Sequence, residues 1–205
     1  MDTSKPTERL VFFSDAVVAI AMTLLVLPLV DVVRELVATH GESTEAITGH
    51  QWQIYSFLLS FVVIARQWIS HHRLFEQIKA YSAPLMRVNL CWLLTIAALP
   101  FPTEMIGGFG SDHFTTMFYI GTILASSLCQ TIMVLIVRSD QNVAKSPDAI
   151  TDRWRMNAIG STVALAVALL LVALIPTVGY FAILLLVLPP VLARARHRQV
   201  STAAA

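Results

Sequence analysis

Charged side chains are scarce in this sequence: Asp, Glu, Lys and Arg make up only 13% of its 205 residues. A typical soluble domain has about 25% charged residues, so a chain this poor in charge is not expected to fold in water. Hydrophobic residues make up 56% of the chain, and their long runs leave no segment for a soluble catalytic domain. The composition therefore predicts an integral membrane protein whose solvent is the lipid bilayer.

Other absences narrow the function. The two cysteines, Cys91 and Cys129, lie in apolar runs without a CxxC partner, so both are interpreted as small buried hydrophobes. The chain has no Gly-rich phosphate loop, nucleophile elbow or HExxH motif, which argues against an enzyme. His71 and His72 point about 100° apart on a helix, and no carboxylate or cysteine completes a metal-ligand set with them, so they are interpreted as membrane-interface histidines, with no metal site. The net charge of +1 carries no information about nucleic acid, and no nucleic-acid partner is expected.

Six apolar segments are long enough, or nearly so, to cross a membrane, which takes about 20 residues. They lie at about 10–30, 52–73, 85–105, 114–137, 156–175 and 177–193. The third ends in a kink at Pro100-Phe101-Pro102, and the long loop after the first has a weak signal for a short helix. The sequence thus predicts an all-α membrane protein, with one six-helix domain over residues 1–205.

The basic residues predict the orientation of these spans. With six spans, 13 of the 14 Lys and Arg residues fall on one side of the membrane, and only Arg34 falls on the other. Loops rich in Lys and Arg stay in the cytoplasm. Both termini are therefore expected in the cytoplasm of a multi-pass protein of the cell membrane.

The first span has an aliphatic stripe. At 100° per residue, Ile20, Leu24 and Leu27 fall within about 60° of one another. Phe13 continues the stripe toward the cytoplasm, and Asp31 continues it toward the outer side. The stripe could face lipid, another helix or a pore, and physical reasoning alone favours lipid or helix packing.

Asp15 points more than about 90° away from this stripe. A charged group inside a spanning helix is costly unless it is paired. Polar partners are available near the same level of the second span, namely Arg66, Trp68, His71 and His72. Asp15 is therefore either an ion or proton site or a polar clamp between helices, and the clamp is favoured because Asp15 lies off the stripe.

A motif in the first span resembles a known family. Arg9-x-x-x-Phe13-Ser14-Asp15, followed by Ala-x-x-Ala-Ile-Ala-x-Thr-Leu-Leu-Val-Leu, closely resembles the transmembrane protein 175 family of potassium channels. The resemblance extends more loosely to Trp68-x-x-His71-His72-Arg73 and to Asn89. The length is similar to that of the prokaryotic members, which have one six-helix repeat and assemble as tetramers.

The resemblance implies a homotetramer in which the first helix lines a central pore. The constriction would consist of Ile20, Leu24 and Leu27, with Thr23 flanking them. A polar network would brace the first helix against the second and third; its members would be Arg9, Phe13, Ser14, Asp15, Trp68, His71 and Asn89. Asp31 would lie at the outer mouth. The implied activity is a potassium-favouring leak conductance for monovalent cations, without a cofactor beyond the permeant potassium ion.

The segment Thr177-Val178-Gly179-Tyr180-Phe181 nearly spells the TVGYG filter of other potassium channels. It lacks a preceding pore helix and the second glycine, so it is interpreted as a chance match. Two other functions stay open. One is a proton-coupled secondary transporter that uses Asp15. The other is a membrane scaffold packed through the small residues Gly160, Ala164 and Ala168 of the fifth span.

Overall fold

The computed structural model describes residues 4–110, 112–146 and 148–175. Eight helices occur in this part of the chain. They are α1 (Ser4–Leu24), α2 (Leu27–Ala38), α3 (Glu45–Thr48), α4 (Gln51–Glu76), α5 (Ala83–Ala98), α6 (Pro100–Phe109), α7 (His113–Ser139) and α8 (Asp152–Leu174). The fold is all-helical, as predicted, and α3 is the short helix indicated in the long loop.

The first predicted span, 10–30, is not one uninterrupted helix. Pro28 lies in the first turn of α2 and has no backbone N–H, so the carbonyl of Leu24 loses its usual helical donor and α1 ends there. The prediction of one continuous first span did not include this effect of Pro28. The whole segment Glu8–Ala38 is still long and apolar enough to cross a membrane, so the correction concerns continuity and not the existence of the span.

Four helical segments in the described part of the chain are long and apolar enough to cross a membrane. They are Glu8–Ala38, Ala83–Phe109, His113–Ser139 and Asp152–Leu174, which match the predicted first, third, fourth and fifth spans. Helix α4 covers the predicted second span over 26 residues. It is not among these four segments because its polar residues, among them Arg66 and Gln67, make it less apolar. The predicted sixth span lies outside the described residues.

Side-chain caps and prolines set several helix ends. Ser82, Asp112 and Thr151 each accept a hydrogen bond from a backbone N–H in the first turn of α5, α7 and α8, respectively, which satisfies one of the donors that a helix start leaves free. Pro100 and Pro102 separate α5 from α6 at Leu99, as the predicted kink requires.

Helix α7 is at the centre of the packing. It packs against α5, α6 and α8, while α1 packs against α4 and α5, and α4 packs against α6. The largest fully buried side chains include Trp92 of α5 and Tyr119 of α7. Gly107 of α6 permits a close approach to α4, because a Cβ atom there would lie 3.2 Å from Cγ of Gln53.

Backbone hydrogen bonds join the loop after α4 to the loop after α7. Lys79 donates to the carbonyl of Val143 at 2.9 Å, and Lys145 donates to the carbonyl of Gln77 at 2.9 Å. Between these two bonds, Ile78 and Ala144 form an antiparallel bridge and are both buried. The α4–α5 and α7–α8 loops therefore lie on the same side of the helices.

Candidate functional site

One face of α1 packs against the protein. Ser14, Val18, Ala21 and Leu25 recur at spacings of three and four residues, and all four are buried. The small side chain of Ala21 lets α1 approach α4 and α5 closely. This face fixes which way the rest of α1 points.

The other face carries the predicted aliphatic stripe, and it is uncovered in the single chain. Ile20, Leu24 and Leu27 have exposed fractions of 58%, 41% and 50%. Thr23 is exposed beside them, and its hydroxyl donates to the carbonyl of Ile20 at 2.8 Å. Because the break before Pro28 does not turn Leu27 inward, the stripe persists across the junction of α1 and α2.

Three polar side chains from α1, α4 and α5 form a hydrogen-bonded chain in the protein interior. Ser14 Oγ donates to the carbonyl of Leu10 at 2.9 Å, Asn89 Nδ2 donates to Ser14 Oγ at 3.0 Å, and His71 Nε2 lies 2.7 Å from Asn89 Oδ1. Since the amide nitrogen of Asn89 already faces Ser14, its oxygen accepts, and His71 is the donor. The structure thus brings together three of the residues assigned to the polar network.

His71 is buried inside the protein, and its level at the membrane interface stays a prediction. Its ring stacks on Trp92 at 4.1 Å and on Phe75 at 4.2 Å, centroid to centroid. The aromatic partners make burial possible, because they cover the ring while Asn89 Oδ1 accepts its hydrogen bond. Trp92 was missed in the sequence, where a lone tryptophan in an apolar run gives no signal of such a contact.

Asp15 is also paired. Its Oδ1 accepts a hydrogen bond from Trp68 Nε1 at 2.8 Å, and the carboxylate is only partly buried. This bond ties α1 to α4 beside the Ser14–Asn89–His71 chain. In the described part of the molecule, no group of three or more His, Cys, Asp or Glu side chains could hold a metal ion.

Three other candidate residues lie outside this network. Arg9 and Phe13 of α1 are both exposed. On a helical wheel Arg9 lies about 120° from Asp15, which is why the two do not meet within the chain. Asp31 is exposed on α2 and forms an ion pair with Arg34, Oδ1 to Nη1, at 3.0 Å.

Hydroxyl groups join α7 to α8 in a second polar cluster, which was not predicted from the sequence. Thr162 Oγ1 lies 2.9 Å from Ser127 Oγ and 2.8 Å from Thr131 Oγ1. Hydroxyl pairs of this kind link helices within a membrane. The spacing of Ser127 and Thr131 places them on one face of α7 and could have indicated this cluster. Scattered Ser and Thr are common in apolar runs, however, so the pattern is a weak one.

The comparisons with known proteins agree with the motif in α1. The sequence profile of the family described as endosomal/lysosomal potassium channel TMEM175 matches residues 9–100, which contain most of α1, all of α2 to α5 and both hydrogen-bonded ties of α1. A potassium channel of Streptomyces collinus is 37% identical over 125 residues, which cover 58% of this chain and 59% of that protein. The match therefore spans less than two thirds of that relative.

Two further likenesses cover more of the chain. A potassium channel of Chryseobacterium sp. is 27% identical over 151 residues, 72% of this chain and 73% of that protein. The crystal structure of a lysosomal potassium-selective channel TMEM175 homologue from Chamaesiphon minutus superposes with a TM-score of 0.67 at 27% identity, over 88% of this chain and 96% of that one. These names are those of ion channels and not of enzymes.

Proposed function

Because the chain is related to the TMEM175 family over residues 9–100, we propose that it is one subunit of a cation channel in the cell membrane. The channel is a homotetramer that favours potassium and carries a leak current of monovalent cations. The observation that supports this most is the two-sided character of α1. One side is anchored by buried contacts and hydrogen bonds, and the other presents an uncovered aliphatic stripe.

Four copies of this stripe around an axis would form the constriction. Ile20 and Leu27 are about 10 Å apart along a helix at 1.5 Å per residue, which is room for two or three stacked rings. Such rings exclude water by their bulk and offer no hydrogen bond, so the closed pore is dry and costly for an ion to cross. Thr23 supports the same surface beside the rings, with its hydroxyl proton directed to the backbone of α1.

The aliphatic lining also sets the expected selectivity. A filter of backbone carbonyls replaces the hydration shell of potassium, whereas Ile and Leu side chains have no ligand atom to do so. The discrimination between potassium and sodium is therefore modest. Asp31 would lie near the outer mouth, but its ion pair with Arg34 offsets much of the charge that four copies would otherwise concentrate there.

The network residues have a structural role in this proposal. Asp15, Ser14 and Asn89 hold α1 against α4 and α5 from the side opposite the stripe, so they orient the pore helix without touching the permeant ion. This placement does not favour the transporter alternative. Asp15 lies away from the stripe, and its carboxylate already accepts a hydrogen bond from Trp68. The relatives' names, all channels, do not favour a transporter either.

Recording from the purified protein in planar bilayers tests the proposal directly. We expect discrete single-channel steps and, with potassium on one side and sodium on the other, a reversal potential shifted toward that of potassium. A saturable, stoichiometrically coupled flux without current steps would contradict the channel and support a transporter.

A reporter fusion tests the orientation of the chain. We expect a reporter attached after Ala205 to be active as a cytoplasmic enzyme, because 13 of 14 basic residues lie on one side of a six-span chain. The bridge between Ile78 and Ala144 supports the arrangement, since it holds two loops of that side together. Periplasmic activity at Ala205, with cytoplasmic activity after Ser146, would exclude the sixth span.

A further inference from the structure

An open groove lies where α7 ends and α8 begins. Its volume is about 510 Å³, and its walls are of two kinds. Three aliphatic side chains of α7 form one wall, and two arginines and a serine form the other; the residues are Ile132, Leu135, Ile136, Arg138, Ser139 and Arg155. Neither the α1 stripe nor the polar network of Ser14, Asn89 and His71 contributes to this groove.

The basic end of the groove has more positive than negative charge. Arg138 Nη2 and Arg155 Nη2 lie 2.8 Å and 3.0 Å from the same oxygen of Asp152, so one carboxylate is shared by two guanidinium groups. Arg138 also donates from Nη1 to the carbonyl of Ile150 at 2.8 Å. Nε of Arg155 is enclosed and lacks a hydrogen-bond partner among the described residues. Because two guanidinium groups share one carboxylate, the groove offers positive charge to an anion.

The positions of the two walls along α7 indicate that the ligand of the groove is an amphiphile. Leu135 and Arg138 are about 4.5 Å apart along α7, at 1.5 Å per residue, with Arg138 in the last turn of a helix long and apolar enough to span a membrane. The aliphatic wall thus lies at the level of acyl chains, and the arginines lie at the level of headgroups. A free anion would leave the exposed side chain of Leu135 without a partner.

The charges next to the groove restrict how the headgroup lies. Asp148 and Asp152 line the neighbouring surface on the other side of Arg138. Their carboxylates would repel a phosphate group there. The anionic group is therefore directed toward Arg155, which lines the groove but not that neighbouring surface.

We propose that this groove binds an anionic phospholipid, with the phosphate diester on Arg155 and Arg138 and one acyl chain along Leu135 and Ile132. Basic pockets between spanning helices bind anionic headgroups in this way. The inference is independent of ion conduction, because none of the groove residues lies on the α1 stripe. It depends only on α7 and α8 being spanning helices.

Native mass spectrometry of the purified protein tests the proposal. The protein is released from detergent after incubation with equal amounts of phosphatidylglycerol and phosphatidylcholine, and the bound lipids are counted. We expect the wild type to retain phosphatidylglycerol preferentially. Arg155→Gln should weaken that preference about tenfold, the effect of losing one charge-assisted contact, while the Arg138–Asp152 pair stays intact.

Two further variants separate the site from general effects. Arg73→Gln removes the same charge from an exposed position of α4, outside the groove, and should leave the preference unchanged. Leu135→Trp fills the aliphatic wall without changing charge, and should lower the retention of phosphatidylglycerol. Size-exclusion profiles identical to that of the wild type show that each variant is folded.

Several results would overturn the proposal. Equal retention of the two lipids by the wild type would exclude it, and this is the result expected if a second copy of the chain covers the groove. Equal losses in Arg155→Gln and Arg73→Gln would show a diffuse charge effect. Full retention in Leu135→Trp, or complete displacement of phosphatidylglycerol by millimolar inorganic phosphate, would show an anion site that does not recognise a lipid.

Discussion

Replacement of Ile20 or Leu24 by serine is expected to raise the single-channel conductance and to reduce the preference for potassium over sodium. Each substitution places four hydroxyl groups where the proposed tetramer has four aliphatic side chains. Hydroxyl groups hold water in the constriction, and a wet constriction costs an ion less to cross. If wetting lowers the barrier by about 1.4 kcal/mol, the conductance rises about tenfold.

The matched control is Leu94→Ser. Leu94 of α5 has an exposed fraction of 70%, so it is an uncovered leucine of a spanning segment, as Leu24 is, but it does not lie on α1. We expect its conductance and selectivity to equal those of the wild type. Since both leucines are exposed in the single chain, the change in hydrophobic surface is comparable and only the position differs.

The comparison has a clear negative result. If Ile20→Ser and Leu24→Ser assemble normally and give the same current and selectivity as the wild type, the stripe faces lipid or a neighbouring helix. The pore would then have to be sought on another helix. A change shared by all three variants would point to general loosening of the fold.

The helices were largely predictable from the sequence because long apolar runs have few alternatives in a membrane. The kink between α5 and α6 was predictable from Pro100 and Pro102, because proline has no backbone N–H to donate. Pro28 should have given the same result in the first span. It was overlooked because the apolar residues around it are continuous, and apolar content does not report on backbone hydrogen bonds.

The site was predictable in part. A helical wheel separated Asp15 from the Ile20–Leu24–Leu27 stripe, and the structure places them on different faces of α1. It could not choose Trp68 from the four polar candidates on the second span, because that choice depends on the crossing of α1 and α4. The stacking of His71 on Trp92 was not predicted for a similar reason, because Trp92 comes from another helix.

The second large effect is expected at Asn89. Its side chain is fully buried and connects Ser14 of α1 to His71 of α4. Asn89→Leu keeps a similar volume but removes both the donor and the acceptor. His71 then loses its acceptor within the protein, and Ser14 loses a donor, in surroundings where water cannot replace them.

An unsatisfied buried polar group costs about 1–3 kcal/mol, and hydrogen bonds between spanning helices are at the lower end of this range. We therefore expect Asn89→Leu to lower the free energy of unfolding by about 2–4 kcal/mol, as measured by titration with sodium dodecyl sulfate in mixed micelles. Asn157→Leu is the control, because Asn157 is an exposed asparagine of α8. Its unfolding should stay close to that of the wild type.

The same variant separates a bracing role from a role in permeation. If Asn89 only holds α1 in place, the Asn89→Leu protein that still assembles should show fewer channels, each with a potassium preference close to that of the wild type. The reason is geometric: Asn89 contacts the buried side of α1 through Ser14, while Ile20 and Leu24 occupy the opposite side. Normal stability together with an altered ion preference would show instead that the network takes part in the conduction path, and the assignment of separate tasks to the two faces of α1 would be wrong.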